Sequence, residues 1–472
     1  MRRKVVLYNP RAVFYTLPLA LIAVGSALDP AKYDVRIIDG RLEPDPVRTI
    51  LAEIADALCL GISVLTGAPI HDALRISRAA KARRPDLAVV WGGWHPSLFP
   101  AQCLEEPSVD VAVIGQGEET FAEIVERLAA GADLAGVAGS ASRPPATGHR
   151  PPNPPRPFHD LNQLPAHNYN LVPVERYFTL KGKRQLDYIS SQGCRFRCSF
   201  CADPYVYNRA WSGLSPQRVG AEIESLWQRY RFAELSFQDE TFFTRRERVE
   251  AIAEELIARR LEIGWTGTLR ADQGFRLPDE VLAKCRRAGL RRVMVGVESG
   301  SQAMLDWIKK DIKLEQVWDT AEKCARHRIG MIINIIVGFP GEPDESVAES
   351  LAVAKRLRAI SADFEVAVFY YKPYPGNAIA DRLLHEGYTF PQTLEAWANF
   401  DYVGSSGPWV TPETWHLIEG FKFYQRFAFG RNGHPLRQPL RLAARWRVDR
   451  DFYAFPVEKW VVERLRPRQR LS

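Results

Sequence analysis

Cys194-Arg195-Phe196-Arg197-Cys198-Ser199-Phe200-Cys201 sets three thiols within one short loop, directly after the run Leu186-Asp187-Tyr188-Ile189-Ser190-Ser191-Gln192-Gly193. Thiolates so spaced face one point when the backbone wraps around a soft metal centre. A disulfide would leave an odd cysteine over and close a very short loop. A zinc site wants four ligands, and the next cysteine, Cys285, is far downstream. A 4Fe–4S cluster on three cysteines leaves one iron open to an exogenous ligand. A zinc knuckle and chance spacing stay as the bland alternatives.

Downstream of the loop, strand and helix alternate. Helices are expected over 216–230, 246–260, 278–288, 314–327 and 344–359, and strands over 234–237, 263–269, 292–297, 331–337 and 364–369. With the strand before Cys194 this makes six βα units, a partial (β/α)6 barrel rather than a closed one of eight. Polar residues gather at the strand carboxyl ends, where parallel α/β folds place ligands. They are Asp239 and Glu240, Arg270, Glu298 and Ser299, followed by the turn at Gly338. Taken one by one, each could equally be a rim ion pair or a turn former.

Upstream, strands over 4–8, 34–39, 57–63, 88–91 and 109–114 alternate with helices over 17–28, 47–55, 70–83 and 119–130. That pattern predicts a Rossmann-like, doubly wound sheet with its ligand at the strand carboxyl ends. Three loops lie on that edge: Ser63-Val64-Leu65-Thr66-Gly67, Gly92-Gly93-Trp94-His95-Pro96 and Gly115-Gln116-Gly117-Glu118. Glycine lets backbone approach a ligand closely, and a serine hydroxyl can bond it. From Ser140 to Phe158 the chain is dense in proline, which predicts an extended spacer.

The chain has 472 residues, 46% hydrophobic and 25% charged, with a net charge of +7. This is two or three ordinary globular domains, and the charge does not call for nucleic acid. Seven cysteines, three of them clustered, are no secreted disulfide framework. Cys59, Cys103, Cys285 and Cys324 read as buried structural thiols. The uncharged stretch 12–28 follows Asn9-Pro10-Arg11 and contains Pro18 and Gly25, so neither export nor a membrane span is expected. The expected location is the cytoplasm. Expected domains are 1–139, a lead-in over 140–180, the barrel over 181–393 and a mainly helical cap over 394–472. The last region combines aromatics (Trp397, Phe400, Tyr402, Trp409, Trp415, Phe421, Phe423, Tyr424, Phe427, Phe429) with Arg437, Arg441, Arg445, Arg447 and Arg450. Helical stripes usually face a core, which predicts aromatics packed inward and arginines solvated. The sharper alternative is peripheral contact with the inner face of a membrane.

The Cys-x-x-x-Cys-x-aromatic-Cys spacing resembles the radical S-adenosylmethionine (SAM) superfamily. The Ser-x-Leu at 63–65, followed after residues 66–91 by Gly92-Gly93, resembles cobalamin-binding Rossmann domains. Their order resembles the cobalamin-dependent class of radical SAM enzymes. Gly92 to Pro96, Val297 to Ser301 and Pro373 to Gly376 are similar to the group containing the anaerobic magnesium-protoporphyrin monomethyl ester cyclase. The resemblance implies a 4Fe–4S cluster on Cys194, Cys198 and Cys201 that reductively cleaves SAM to a 5′-deoxyadenosyl radical. It implies SAM contacts at Phe200, Asp239, Glu240, Arg270, Glu298, Ser299 and Gly338. It implies cobalamin contacts at Ser63, Leu65, Thr66, Gly92, Gly93, Gly115, Gly117 and Glu118. The family's Asp-x-His-x-x-Gly is missing: the matching region around Thr16-Leu17-Pro18-Leu19 has no histidine, so cobalamin is expected without a lower histidine ligand. The expected reaction is methylation or oxidative cyclisation at an unactivated carbon of an apolar small molecule, with an external electron donor. Two rivals are a radical SAM enzyme with a vestigial first domain acting on RNA, and a non-catalytic cluster or cobalamin sensor. Nucleic acid is disfavoured because aromatics at helical spacing suit burial better than base stacking.

Overall fold

The computed structural model describes residues 2–12, 14–143, 153–400, 407–429 and 438–465. Part of the proline-rich stretch, Tyr402 and Arg437 lie outside them. The fold is α/β, in two compact units: residues 1–265 with 373–402, and residues 266–372 with 403–472.

The first unit opens with six strands, β1 (Arg3–Asn9), β2 (Tyr33–Asp39), β3 (Ala57–Ser63), β4 (Ala88–Gly92), β5 (Val111–Val113) and β6 (Ser140–Ser142). Val5, Val6, Leu7 and Tyr8 of β1 are all buried, the continuous apolar run of a strand covered on both faces. The order is β2-β1-β3-β4-β5-β6, parallel through β5. The sheet therefore reverses its winding between β1 and β3, where a doubly wound fold opens a crevice for its ligand.

Two local expectations are corrected here. Ser140–Ser142 is not spacer but an antiparallel edge strand on β5. The described end of the spacer is also docked, since Gly139 N donates to the Pro154 carbonyl at 2.8 Å. Arg156 reaches Thr120 Oγ1 at 2.8 Å and pairs with Glu123. Proline removes a donor but keeps its carbonyl, so a proline-rich chain can still accept bonds along a sheet edge. Residues 373–402 return to the same unit, and Trp397, fully buried, packs in the core with Ile70, Ala73 and Trp91.

The unit continues with β7 (Gln185–Tyr188), β8 (Ser191–Gly193), β9 (Trp211–Gly213) and β10 (Glu234–Phe237). β7 and β10 pair in parallel. The run before Cys194 is thus two strands rather than one: it breaks at Ile189-Ser190, and β8 turns to pair antiparallel with β9.

The second unit holds β11 (Gly264–Leu269, which the unit boundary crosses), β12 (Leu290–Glu298), β13 (Gly330–Val337) and β14 (Phe364–Tyr370), side by side in the order β14-β13-β12-β11. β7 and β10 to β14 are the six strands expected of the partial barrel. In β13, Met331, Ile333, Ile335 and Val337 are fully buried while Ile332, Asn334 and Ile336 are half-buried. One face is fully buried and the other is only partly covered. Helices Pro412–Ala428, Gln438–Arg450 and Val457–Leu465 complete the unit, the last of them unforeseen in the sequence. Among the described residues no helix is long and apolar enough to cross a membrane.

Candidate active site

A cavity of about 290 Å³ opens at the switch point between β1 and β3. Ser63, Leu65, Gly92, Gly93, Gly115, Gly117 and Glu118 all line it. Gly93 is required by geometry: its φ is +100°, and a Cβ there would stand 3.0 Å from the Val64 carbonyl oxygen. The two loops are locked together by Val64 N to Gly92 O at 2.7 Å and His95 N to Val64 O at 3.1 Å. Glu118 is buried in the wall, and burial pushes its carboxyl above the ordinary range.

Thr66 does not line the cavity. It is buried, with Oγ1 3.2 Å from His95 Nδ1. His95 itself packs against Phe99 and Trp397 at ring distances of 5.3 and 5.8 Å. Burial pulls its pKa down to about 4, so the imidazole is neutral. His71 turns instead to Asn399 Oδ1 at 3.0 Å. Thr16, Leu17, Pro18 and Leu19 form another wall of the cavity, and none of them can ligate a metal through nitrogen.

The same cavity reaches the base of the cysteine loop, where Gln192, Val206 and Tyr207 line it. That base is pinched by β8 and β9. Gly193 has φ +85°, and a Cβ would fall 2.3 Å from the Ala210 carbonyl oxygen. Asp239 fixes the approach to the pinch: its carboxylate accepts from Ser190 N at 2.8 Å and from the Ser190 and Ser191 hydroxyls at 2.6 Å. Glu240 accepts from Gly193 N at 3.2 Å. Burial, with Asp203 nearby, lifts the Glu240 carboxyl to about 8. On the far side of the loop, fully buried Asn377 donates to the Phe200 carbonyl at 3.2 Å.

Within the loop, Cys201 N donates to the Cys198 carbonyl at 3.3 Å. Burial pushes the Cys201 thiol well up, and Cys198 and Cys194 add to the shift, so the three sulfurs feel one another. Among the described residues no three His, Cys, Asp or Glu side chains form a ligand set for one metal ion. In a cubane each of three thiolates holds a different iron. The other four cysteines are buried elsewhere, and burial lifts Cys59, Cys103 and Cys324 to about 12.

In the second unit the strand-end residues form their own network. Arg270 Nε donates to Asp272 Oδ1 at 2.9 Å, and its Nη2 donates to the Lys310 carbonyl at 2.6 Å. Glu298 sits at φ +69° with Oε1 2.7 Å from Lys310 Nζ, both side chains buried. A non-glycine residue held there is strained. Ser299 Oγ lies 3.3 Å from Ser350 Oγ. Gly338, φ +77°, donates its N–H to Glu342 Oε2 at 2.6 Å and accepts from Trp409 Nε1.

The profile of the Radical SAM superfamily matches residues 188–354, and that of the B12 binding domain matches residues 4–125. An uncharacterized methyltransferase of Pyrococcus horikoshii is 32% identical over 380 residues, 78% of this chain and 79% of its own. The chain belongs to the cobalamin-dependent radical SAM enzymes. An anaerobic magnesium-protoporphyrin IX monomethyl ester cyclase of Synechocystis is 27% identical over 373 residues, 76% of this chain and 71% of its own. The solved structure of the cobalamin-dependent SAM radical enzyme OxsB, with aqua-cobalamin and SAM bound, superposes with a TM-score of 0.76 at 19% identity, over 99% of this chain and 73% of that one. This radical SAM enzyme therefore takes the family's cofactors: a 4Fe–4S cluster, SAM and cobalamin.

Sequence reasoning missed Gln192, Tyr207, Lys310 and Asn377. Asn377 follows directly on Pro373-Tyr374-Pro375-Gly376, and the position after that turn was its only signal. Tyr207 is placed by ring contacts with Trp94 at 5.9 Å and Phe158 at 5.8 Å, both remote in sequence.

Proposed function

We propose that this enzyme transfers a methyl group to an unactivated carbon of a small, largely apolar molecule. One observation carries the reading: the cavity at the switch point shares Gln192, Val206 and Tyr207 with the base of the cysteine loop. Cobalamin in that cavity and a cluster on the loop would be neighbours, as a two-cofactor reaction needs. The cofactors supply the chemistry, radical generation from SAM and carriage of a methyl group, while the protein binds, orients and excludes. Cys194, Cys198 and Cys201 hold the cluster. Phe200, Asp239, Glu240, Arg270, Glu298, Ser299 and Gly338 are the residues assigned to SAM. Asp239 acts by bracing the 190–191 turn, since its oxygens already accept three bonds. Ser63, Leu65, the paired glycines, Gly115, Gly117 and Glu118 hold cobalamin, Thr66 acts through His95, and no histidine serves the lower face.

An apolar substrate is supported by the less covered face of the second unit's sheet, where Met294, Ile332 and Ile336 are half-buried and Phe369 is exposed, beside Asn334 and Glu365. Methyl transfer is favoured by the relative from Pyrococcus horikoshii, and oxidative cyclisation is the second reading, favoured by the cyclase relative. Electrons come from an external donor, and the enzyme works in the cytoplasm with contact to the membrane's inner face. Methyl transfer predicts that reduced, reconstituted holoenzyme given SAM and an extract of its source cells forms S-adenosylhomocysteine and 5′-deoxyadenosine together. 5′-Deoxyadenosine alone would favour cyclisation.

A further inference from the structure

On the second unit, beyond the edge strand β14, lies a groove of about 700 Å³, large enough for a metabolite-sized ligand. Its walls carry four cationic side chains, Arg292, Arg358, Lys422 and Arg426, against two carboxylates, Asp363 and Glu365. Two of the cations are committed: Arg292 pairs with Glu365 at 3.1 Å and Lys422 with Glu419 at 2.6 Å. The other two are in no ion pair among the described residues. Arg426 has no ion-pair or hydrogen-bond partner among the described residues. Arg358 is 9% exposed, lies over the Phe429 ring at 5.3 Å and donates to the Phe364 carbonyl, yet its buried Nε has no partner. The groove therefore carries a cationic excess, and arginine is the side chain suited to carboxylate and phosphate. The strand edge is closed to peptide addition at this point, since Gln425 Nε2 donates to the Val366 carbonyl at 2.9 Å.

Glu365, Ala367 and Phe369 carry the groove onto the partly covered face of the sheet. Phe369, 42% exposed, lines it and pairs in register with Ile336 of β13. We propose that the substrate is an amphiphilic acid, its carboxylate or phosphate held between Arg358 and Arg426 and its apolar body laid along Phe369 and Ile336. This rests on the reading of the protein as an enzyme acting on an apolar molecule.

Calorimetric titration of the reconstituted holoenzyme with dodecanoate, dodecyl phosphate and dodecanol, each below its aggregation concentration, tests it. At least one anion should bind, and dodecanol should bind at least about tenfold more weakly. The tighter anion names the head group. Arg426→Glu combined with Lys422→Glu should weaken anion binding by at least about tenfold, while Arg426→Lys retains it. An unchanged thermal midpoint certifies that the variants fold. Equal binding of dodecanol, or anion binding indifferent to charge reversal, overturns the proposal. Iron content and SAM cleavage measured on the same preparations report on the enzymatic reading separately, because binding of these probes needs no turnover.

Discussion

His95 shows how a residue that looks chemical can be structural. The Gly92-Gly93-Trp94-His95-Pro96 loop invites a ligand role, but burial against Phe99 and Trp397 keeps the ring neutral, with its pKa lowered to about 4 from 6.5. A lowered folded-state pKa means that the unfolded chain binds the extra proton first. The contribution to stability is therefore complete above 6.5 and is lost as pH falls toward 4. A shift of that size corresponds to about 3 kcal/mol at most. Urea unfolding across this range should show the wild-type midpoint falling more steeply than that of His95→Gln. Parallel curves would remove His95 from the account. Lys310 is the opposite case, a residue with no motif around it that neutralises Glu298 at 2.7 Å. Nothing local in Trp307-Ile308-Lys309-Lys310 announces a partner twelve residues earlier, because the pairing exists only once β12 and the following loop have folded.

At the scale of elements, the strands that carry ligands were legible and the antiparallel pair beside the cysteine loop was not. Ala57–Ser63 and Glu234–Phe237 follow directly from their apolar runs. The antiparallel pair β8–β9 escaped, because it joins segments separated by the whole cysteine loop and is set by Gly193 against Ala210 rather than by periodicity. In the C-terminal helices the expected assignment of aromatics inward and arginines outward is partly reversed. Phe421 and Tyr424 are buried as expected, but Arg447 is buried beside Glu458 at 2.8 Å. On the same helix Leu442 and Trp446, one turn apart, are 62% and 45% exposed, and Phe455 and Trp460 are exposed beyond it. These exposed apolar side chains, with Arg441, Arg445 and Arg450 on the same helix, are the surface that the proposed membrane contact would use. Such a surface should bind anionic lipid in a salt-sensitive way. In a sedimentation assay, phosphatidylglycerol vesicles should carry the protein down at low salt, less so after Arg441→Glu with Arg445→Glu. Absence of binding at low salt would contradict membrane contact.

For the whole molecule, motif and order carried the family: three cysteines, a Gly-Gly loop on a strand end, and a proline-dense boundary between two α/β regions. What the sequence could not carry is the approach of the two sites within the first unit, because it depends on Gln192 and Tyr207 reaching a cavity built from β1, β3, β4 and β5. The reaction as a whole requires that the cysteine loop hold a cluster that cleaves SAM. Anaerobic reconstitution of wild type and Cys198→Ala, with iron content and 5′-deoxyadenosine measured after reduction in the presence of SAM, tests it most directly. The account predicts a 4Fe–4S complement and 5′-deoxyadenosine from wild type, and neither from the variant. A normal iron count with undiminished 5′-deoxyadenosine in Cys198→Ala would contradict it.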